Sequence, residues 1–182
     1  MEEITIVHDN SDSICENLYK VRAIIENDNN EFIITCQGGK YIFPGGGVKE
    51  GESNVAAIIR EIHEETGIML SPDALEERLK LETYYPSAYN YGTRLCRARH
   101  TTTIFFYVKC SGEIKSDKMS LTANEIDGNF KVAFVSLKRL QEIVYTNHSE
   151  IPNGDMFDEE NRTAVSIILG DRIEHDSSVR KI

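Results

Sequence analysis

The chain reads as an α/β protein, a mixed β-sheet covered on its faces by helices. Three observations predict this. Short runs rich in β-branched and aromatic residues recur along most of the chain. Only a few segments between them carry a helical apolar period. The 182 residues, 40% hydrophobic and 27% charged, have the size and mixture of one soluble domain with its own core, so residues 1–182 are expected to form a single domain.

In order along the chain, residues 1–17 show no sustained period and are expected to be loosely held. Residues 18–25, "LYKVRAII", predict a strand; "ENDNNE" supplies turn residues, and "FIITCQ" predicts the other arm of a hairpin. "KYIF" predicts a short third strand, stopped by Pro44 and the glycines that follow it. Residues 54–66 carry a helical period, and strand-like runs follow at 79–91 and 100–110, the second reading "HTTTIFFYVKC". After "KVAFV", Ser136 is placed to cap a helix over "LKRLQEIVY". Asp158 is placed to open a last helix that ends near Gly170, and residues 171–182 are expected to be loose.

Composition narrows the function classes. A net charge of −10 disfavours duplex nucleic acid or an anionic membrane as a partner. A small anionic substrate needs local help from a metal ion or a few arginines. No apolar run approaches the ~20 residues that span a bilayer. The opening "MEEITIVHDN" lacks the basic region and apolar stretch of a signal peptide. The four cysteines, Cys15, Cys36, Cys96 and Cys110, lie far apart without a CxxC pair, which argues against a zinc site or a disulfide framework. Free thiols in a reducing, cytoplasmic compartment are the expectation.

The stretch "REIHEETG", residues 60–67, opposes ordinary helix physics. At 100° per residue, Val55, Ile58, Ile59, Ile62 and Thr66 share a stripe about 100° wide. Glu61, Glu64 and Glu65 share another, with the small Ala57 among them leaving space above. Glu61 and Glu65 are a like-charge i,i+4 pair near the C-terminal end, where negative charge also opposes the macrodipole. A generic charge run is a solvated face, but such faces normally mix signs. A hard divalent cation reverses both penalties. Just before the helix, "FPGGGVKEGES" supplies a glycine-rich loop whose backbone can approach a metal or a phosphate closely.

Gly46, five residues, Glu52, seven residues, then Arg60-Glu61-Ile62-His63-Glu64-Glu65-Thr66-Gly67-Ile68 resembles the Nudix box at every defined position. The resemblance implies a Nudix-type α/β/α sandwich around a mixed β-sheet, and hydrolysis of a nucleoside diphosphate linked to another group. It implies Mg²⁺, with Mn²⁺ as a substitute, held by Glu61, Glu64, Glu65 and the carbonyl of Gly46 or Gly45. By the same resemblance Arg60 orients the box glutamates, including Glu52. The base is Glu64 or another box glutamate, or a carboxylate from a later loop, for which Glu125 is the candidate. Gly67 fits a left-handed helix cap. The implied partner is a small phosphorylated substrate, a nucleotide derivative, and homodimers are frequent in the family.

The substrate is less sharply marked. Tyr84 and Tyr85 lie 16 and 17 residues past Ile68, which resembles the dinucleoside-polyphosphate group, while Pro86 at 18 is a poor match to the ADP-ribose group. Lys20 and Arg22 share one face of the first strand, and Arg97 and Arg99 share a face if their run is extended; either pair can hold phosphates. Arg22, Tyr84, Tyr85 and Arg97 are therefore the candidate substrate contacts. Two alternatives stand beside the hydrolase: a non-catalytic Nudix-fold binding module and an isopentenyl diphosphate isomerase-like enzyme. The absence of tryptophan weighs against the latter.

Overall fold

A computed structural model describes residues 1–8, 16–85, 90–91, 94–95, 98–146 and 154–172. The elements follow as β1 (Glu2–Val7), β2 (Glu16–Glu26), β3 (Glu31–Gln37), β4 (Lys40–Ile42), β5 (Gly45–Gly47), α1 (Asn54–Thr66), β6 (Glu76–Tyr85), β7 (Asn90–Tyr91), β8 (Arg94–Leu95), β9 (Arg99–Lys109), α2 (Ala123–Asp127), β10 (Lys131–Ser136), α3 (Leu137–Tyr145) and α4 (Gly154–Leu169). One mixed sheet runs β1-β6-β9-β2-β3-β10, with β4 added to β3 and β5 to β2. β2 runs parallel to β9 and β1 parallel to β6.

Alternation along β2 divides the core in two. Val21, Ala23 and Ile25 pack with Ile104, Phe106 and Val108 of β9 against Ile58 and Ile62 of α1. On the other face Ile24, Leu79, Leu81 and Phe105 pack against Leu140 and Ile143 of α3 and Ala164, Val165 and Ile168 of α4. The sheet is thus covered by helices on both faces, as the sequence predicts.

The β2–β3 hairpin turns on Asn27, whose Oδ1 accepts the backbone N–H groups of Asn29 and Glu31, each at 2.9 Å. The two strands then splay, and Glu26 and Phe32 are their registered pair. β5 takes the freed edge of β2, and β4 that of β3. The chain between them is drawn into the gap, where Ala23 N–H donates to the Pro44 carbonyl at 3.0 Å. This splay is what seats the glycine loop beside α1.

Several expectations need correction. Glu2–Val7, read as loose, form β1, paired from Glu2↔Leu79 to Val7↔Tyr84, with Ile4 and Ile6 packed on the core. A parallel partner so distant in sequence leaves no local signal. Arg172, also in a stretch read as loose, donates to both carboxylate oxygens of Glu26 at 2.6 and 2.8 Å. The last helix opens at Gly154, so Asp158 lies within it and is buried. Ser136 caps α3 as expected, accepting from Arg139 N–H at 3.2 Å. No helix among the described residues is long and apolar enough to cross a membrane.

Candidate active site

Helix α1 spans the predicted residues. Ser53 Oγ accepts Ala56 N–H at its start, and Gly67 ends it in the left-handed region with φ of 71°. The Thr66 and Glu64 carbonyls at this end accept the N–H groups of Lys115 and Ser120, both at 2.8 Å. The segment 115–120 therefore satisfies the helix end that the clustered glutamates oppose. Ala57, placed by the sequence among the glutamates on an open face, is fully buried in the α1-side core. The helix is sunk further into the sheet than its single apolar stripe implies, because β5 packs along it.

Arg60 organises the face. Its Nε and Nη2 grip Glu52 at 2.8 and 2.9 Å, Nη1 donates to Glu61 at 2.7 Å and Glu64 at 3.1 Å, and Nη2 also reaches the Gly47 carbonyl at 3.0 Å. The five N–H donors of a guanidinium thus meet five acceptors. The grip holds the Glu52 carboxyl down at about 2.

The remaining carboxylates are less well matched. Glu65 is 6% exposed and accepts Gly45 N–H at 2.9 Å. Burial pushes its pKa up to about 8, against the pull of that hydrogen bond and of Arg22. Burial also raises Glu61, with Arg60 opposing and Glu64 and Glu125 adding repulsion. Gly46 makes the close packing possible, since a Cβ there would lie 2.6 Å from the Glu61 carboxylate. Among the described residues no three acidic, histidine or cysteine side chains converge to hold one ion, because the glutamates are drawn to Arg60 and Gly45.

The other candidates divide. Glu125 stands in a short helix, α2, which the sequence reading treats as loop; its carboxylate accepts both the N–H and the hydroxyl of Thr122, at 2.5 and 2.8 Å, in a capping box. Its charge still reaches Glu61 and Glu65. Tyr84 and Tyr85 cannot act as a pair, since they point to opposite faces of β6. Tyr84 stacks on His100, with centroids 4.4 Å apart. Tyr85, expected as a substrate contact, is 2% exposed, packs in the core and donates to Glu160 of α4 at 3.1 Å. Arg22 donates to the Phe43 and Gly45 carbonyls at 2.6 and 3.4 Å and so braces the glycine loop. Arg97 and Pro86 lie outside the described residues. Glu160 escapes sequence reading because "DEENR" resembles any solvated helix face.

Comparison with known proteins follows the same lines. The model of the NUDIX domain matches residues 17–153. The 8-oxo-dGTP diphosphatase of Escherichia coli K12 is 40% identical over 66 residues, 33% of this chain and 51% of that protein, so the match spans about half the length of that relative. Among solved structures, a MutT protein from Methanosarcina mazei Go1 superposes with a TM-score of 0.52 at 21% identity, over 83% of this chain and 97% of that one. A bifunctional NMN adenylyltransferase/ADP ribose pyrophosphatase from Francisella tularensis, complexed with AMP and a Mn ion, gives 0.53 at 20% identity, over 85% and 42%. The NUDIX domain of Shewanella oneidensis NrtR, complexed with ADP ribose, gives 0.53 at 13% identity, over 82% and 88%. With its box gathered around Arg60 and its sheet matching these folds, the chain belongs to the Nudix family.

Proposed function

We propose that this chain is a Mg²⁺-dependent pyrophosphohydrolase that cleaves the diphosphate linkage of a nucleoside diphosphate joined to another moiety. The observation that carries this reading is the glutamate array of α1, clamped by Arg60 and facing the glycine loop. The donor set fits a hard cation: Glu65 is buried and Glu61 partly buried, desolvation disfavours the charge of both, and Gly46 keeps backbone beside them. Glu61, Glu64, Glu65 and the Gly46 carbonyl would hold the ion. When bound, the cation neutralises the diphosphate and lowers the pKa of a coordinated water.

The chain's own residues do the rest. Glu64, the most exposed of the three glutamates, accepts a proton from the attacking water. Glu125 is the second candidate base, and reaches that role by leaving Thr122. Arg60 keeps Glu52, Glu61 and Glu64 in one frame. No covalent intermediate is required. Cys36 and Cys110 are free thiols, which accords with a cytoplasmic setting.

The test is a panel of nucleoside triphosphates, dinucleoside polyphosphates, ADP-ribose and nucleotide sugars with Mg²⁺ or Mn²⁺, followed by phosphate or nucleotide release. Glu64→Gln and Glu65→Gln should each lose about 10²-fold or more in rate. Wild-type rates in both would sink the assignment. One observation favours a second reading, a ligand-binding module without turnover: the described glutamates do not converge on one point. Tight nucleotide binding with no product across the panel would select it.

A further inference from the structure

The sheet face under α4 is apolar at one end and polar at the other. Register sets Lys20 beside Thr103, Arg22 beside Phe105 and Arg99 beside Tyr85. Tyr85 and Phe105 pack on the α4 side, so Lys20, Arg22, Arg99 and Thr103 lie there too. Glu160 stands over them, one of its oxygens taken by Tyr85. Lys20 feels the positive charges of Arg22 and Arg99 and the negative charges of Glu160 and Glu16.

Three polar groups here lack a partner. Among the described residues the Lys20 ammonium enters no ion pair or hydrogen bond, and crowding by protein atoms lowers its pKa to about 8. Arg22 Nε is buried without an acceptor, although its Nη1 braces the glycine loop. Thr103 Oγ1 is likewise unmatched, in a residue 1% exposed. Lys20 is half-buried, whereas leaving the buried Arg22 Nε and Thr103 Oγ1 unpaired costs several kcal/mol, which an anionic ligand offsets. Lys20 and Arg22 are two residues apart on an extended strand, about 7 Å, a span that one phosphoryl group can bridge with the long lysine side chain.

We propose that Lys20, Arg22 Nε and Thr103 form an anion subsite that takes a phosphoryl group of the substrate beyond the diphosphate held at α1. The inference rests on the hydrolase reading for where that diphosphate lies; Arg22 joins the two places, since its Nη1 touches the Gly45 carbonyl and Glu65 accepts Gly45 N–H. It favours substrates with three or more linked phosphoryl groups over those whose diphosphate ends in a neutral sugar.

The experiment is calorimetric titration of the metal-free protein with inorganic tripolyphosphate, for wild type, Lys20→Met, Lys20→Arg and Thr103→Val. Wild type binds; Lys20→Met weakens binding about tenfold, the scale of one charge-assisted hydrogen bond, and Lys20→Arg restores most of it. Thr103→Val, nearly isosteric, weakens it about threefold and keeps the test open if Lys20→Met does not fold. No binding by wild type, or equal binding by wild type and the folded Lys20→Met or Thr103→Val proteins, overturns the proposal. Lys20-dependent binding in a protein that hydrolyses nothing would preserve the subsite and reject the hydrolase. Hydrolysis with Lys20-independent binding would do the reverse.

Discussion

Replacing Arg60 with lysine isolates what the guanidinium fork contributes. The charge survives, but one ammonium cannot span Glu52, Glu61, Glu64 and the Gly47 carbonyl. The size follows from Glu52, held at about 2 against an ordinary 4.5. At about 1.4 kcal/mol per pH unit this difference corresponds to roughly 3 kcal/mol. A backbone bond from Lys49 supplies part of it, and both side chains keep some solvent contact, so about 2 kcal/mol is the expected loss. The pH dependence has a definite sign. A carboxylate with a lowered pKa contributes fully above about pH 4.5 and loses that contribution as pH falls toward 2. Urea unfolding of wild type and Arg60→Lys should therefore differ by about 2 kcal/mol at pH 7 and converge progressively between pH 4.5 and 3. A gap under about 0.5 kcal/mol at pH 7, or one unchanged down to pH 3, would refute the view that the fork pins Glu52.

Other substitutions probe other parts. Gly46→Ala places a methyl 2.6 Å from the Glu61 carboxylate, so hydrolysis should fall about 10- to 100-fold while the melting temperature stays near wild type. Gly67→Ala meets both a φ of 71° and the Lys115 carbonyl at 2.4 Å, and should cost about 2 kcal/mol or more in chemical unfolding. Lys20→Met should stabilise the protein by about 1 to 2 kcal/mol at pH 7, because the folded chain holds Lys20 at about 8, below its ordinary 10.5. That advantage should fade as pH rises from 8 to 10.5, where wild type sheds the crowded, half-buried charge; equal stability of the two proteins at pH 7 would contradict it.

The legible parts of the sequence were those governed by local rules. Helix α1 came from a periodic stripe with a glycine after it, its period put the three glutamates on one face, and the resemblance added Arg60. The strands at β2, β3 and β9 came from β-branched runs. What stayed hidden depends on contacts between distant segments. β1 is held by a parallel partner more than seventy residues away. Tyr85 and Tyr84 are neighbours in sequence, and only the burial of one side of β6 shows that the first belongs to the core. Glu125 was found as a residue, but its engagement with Thr122 required knowing that a single helical turn forms there.

Strand β2 is a partition wall with a different tenant on each side. Val21 and Ala23 floor the compartment roofed by α1, while Lys20 and Arg22 open into the compartment under α4. The wall is only one backbone thick, and its pairing with β9 is continuous from Glu16 to Glu26. A one-residue insertion after Lys20 that kept this pairing fixed from Val21 onward would turn Lys20 out of its compartment without moving Arg22. The strand that steadies the glycine loop therefore also fixes the side of the sheet on which Lys20 and Arg22 lie.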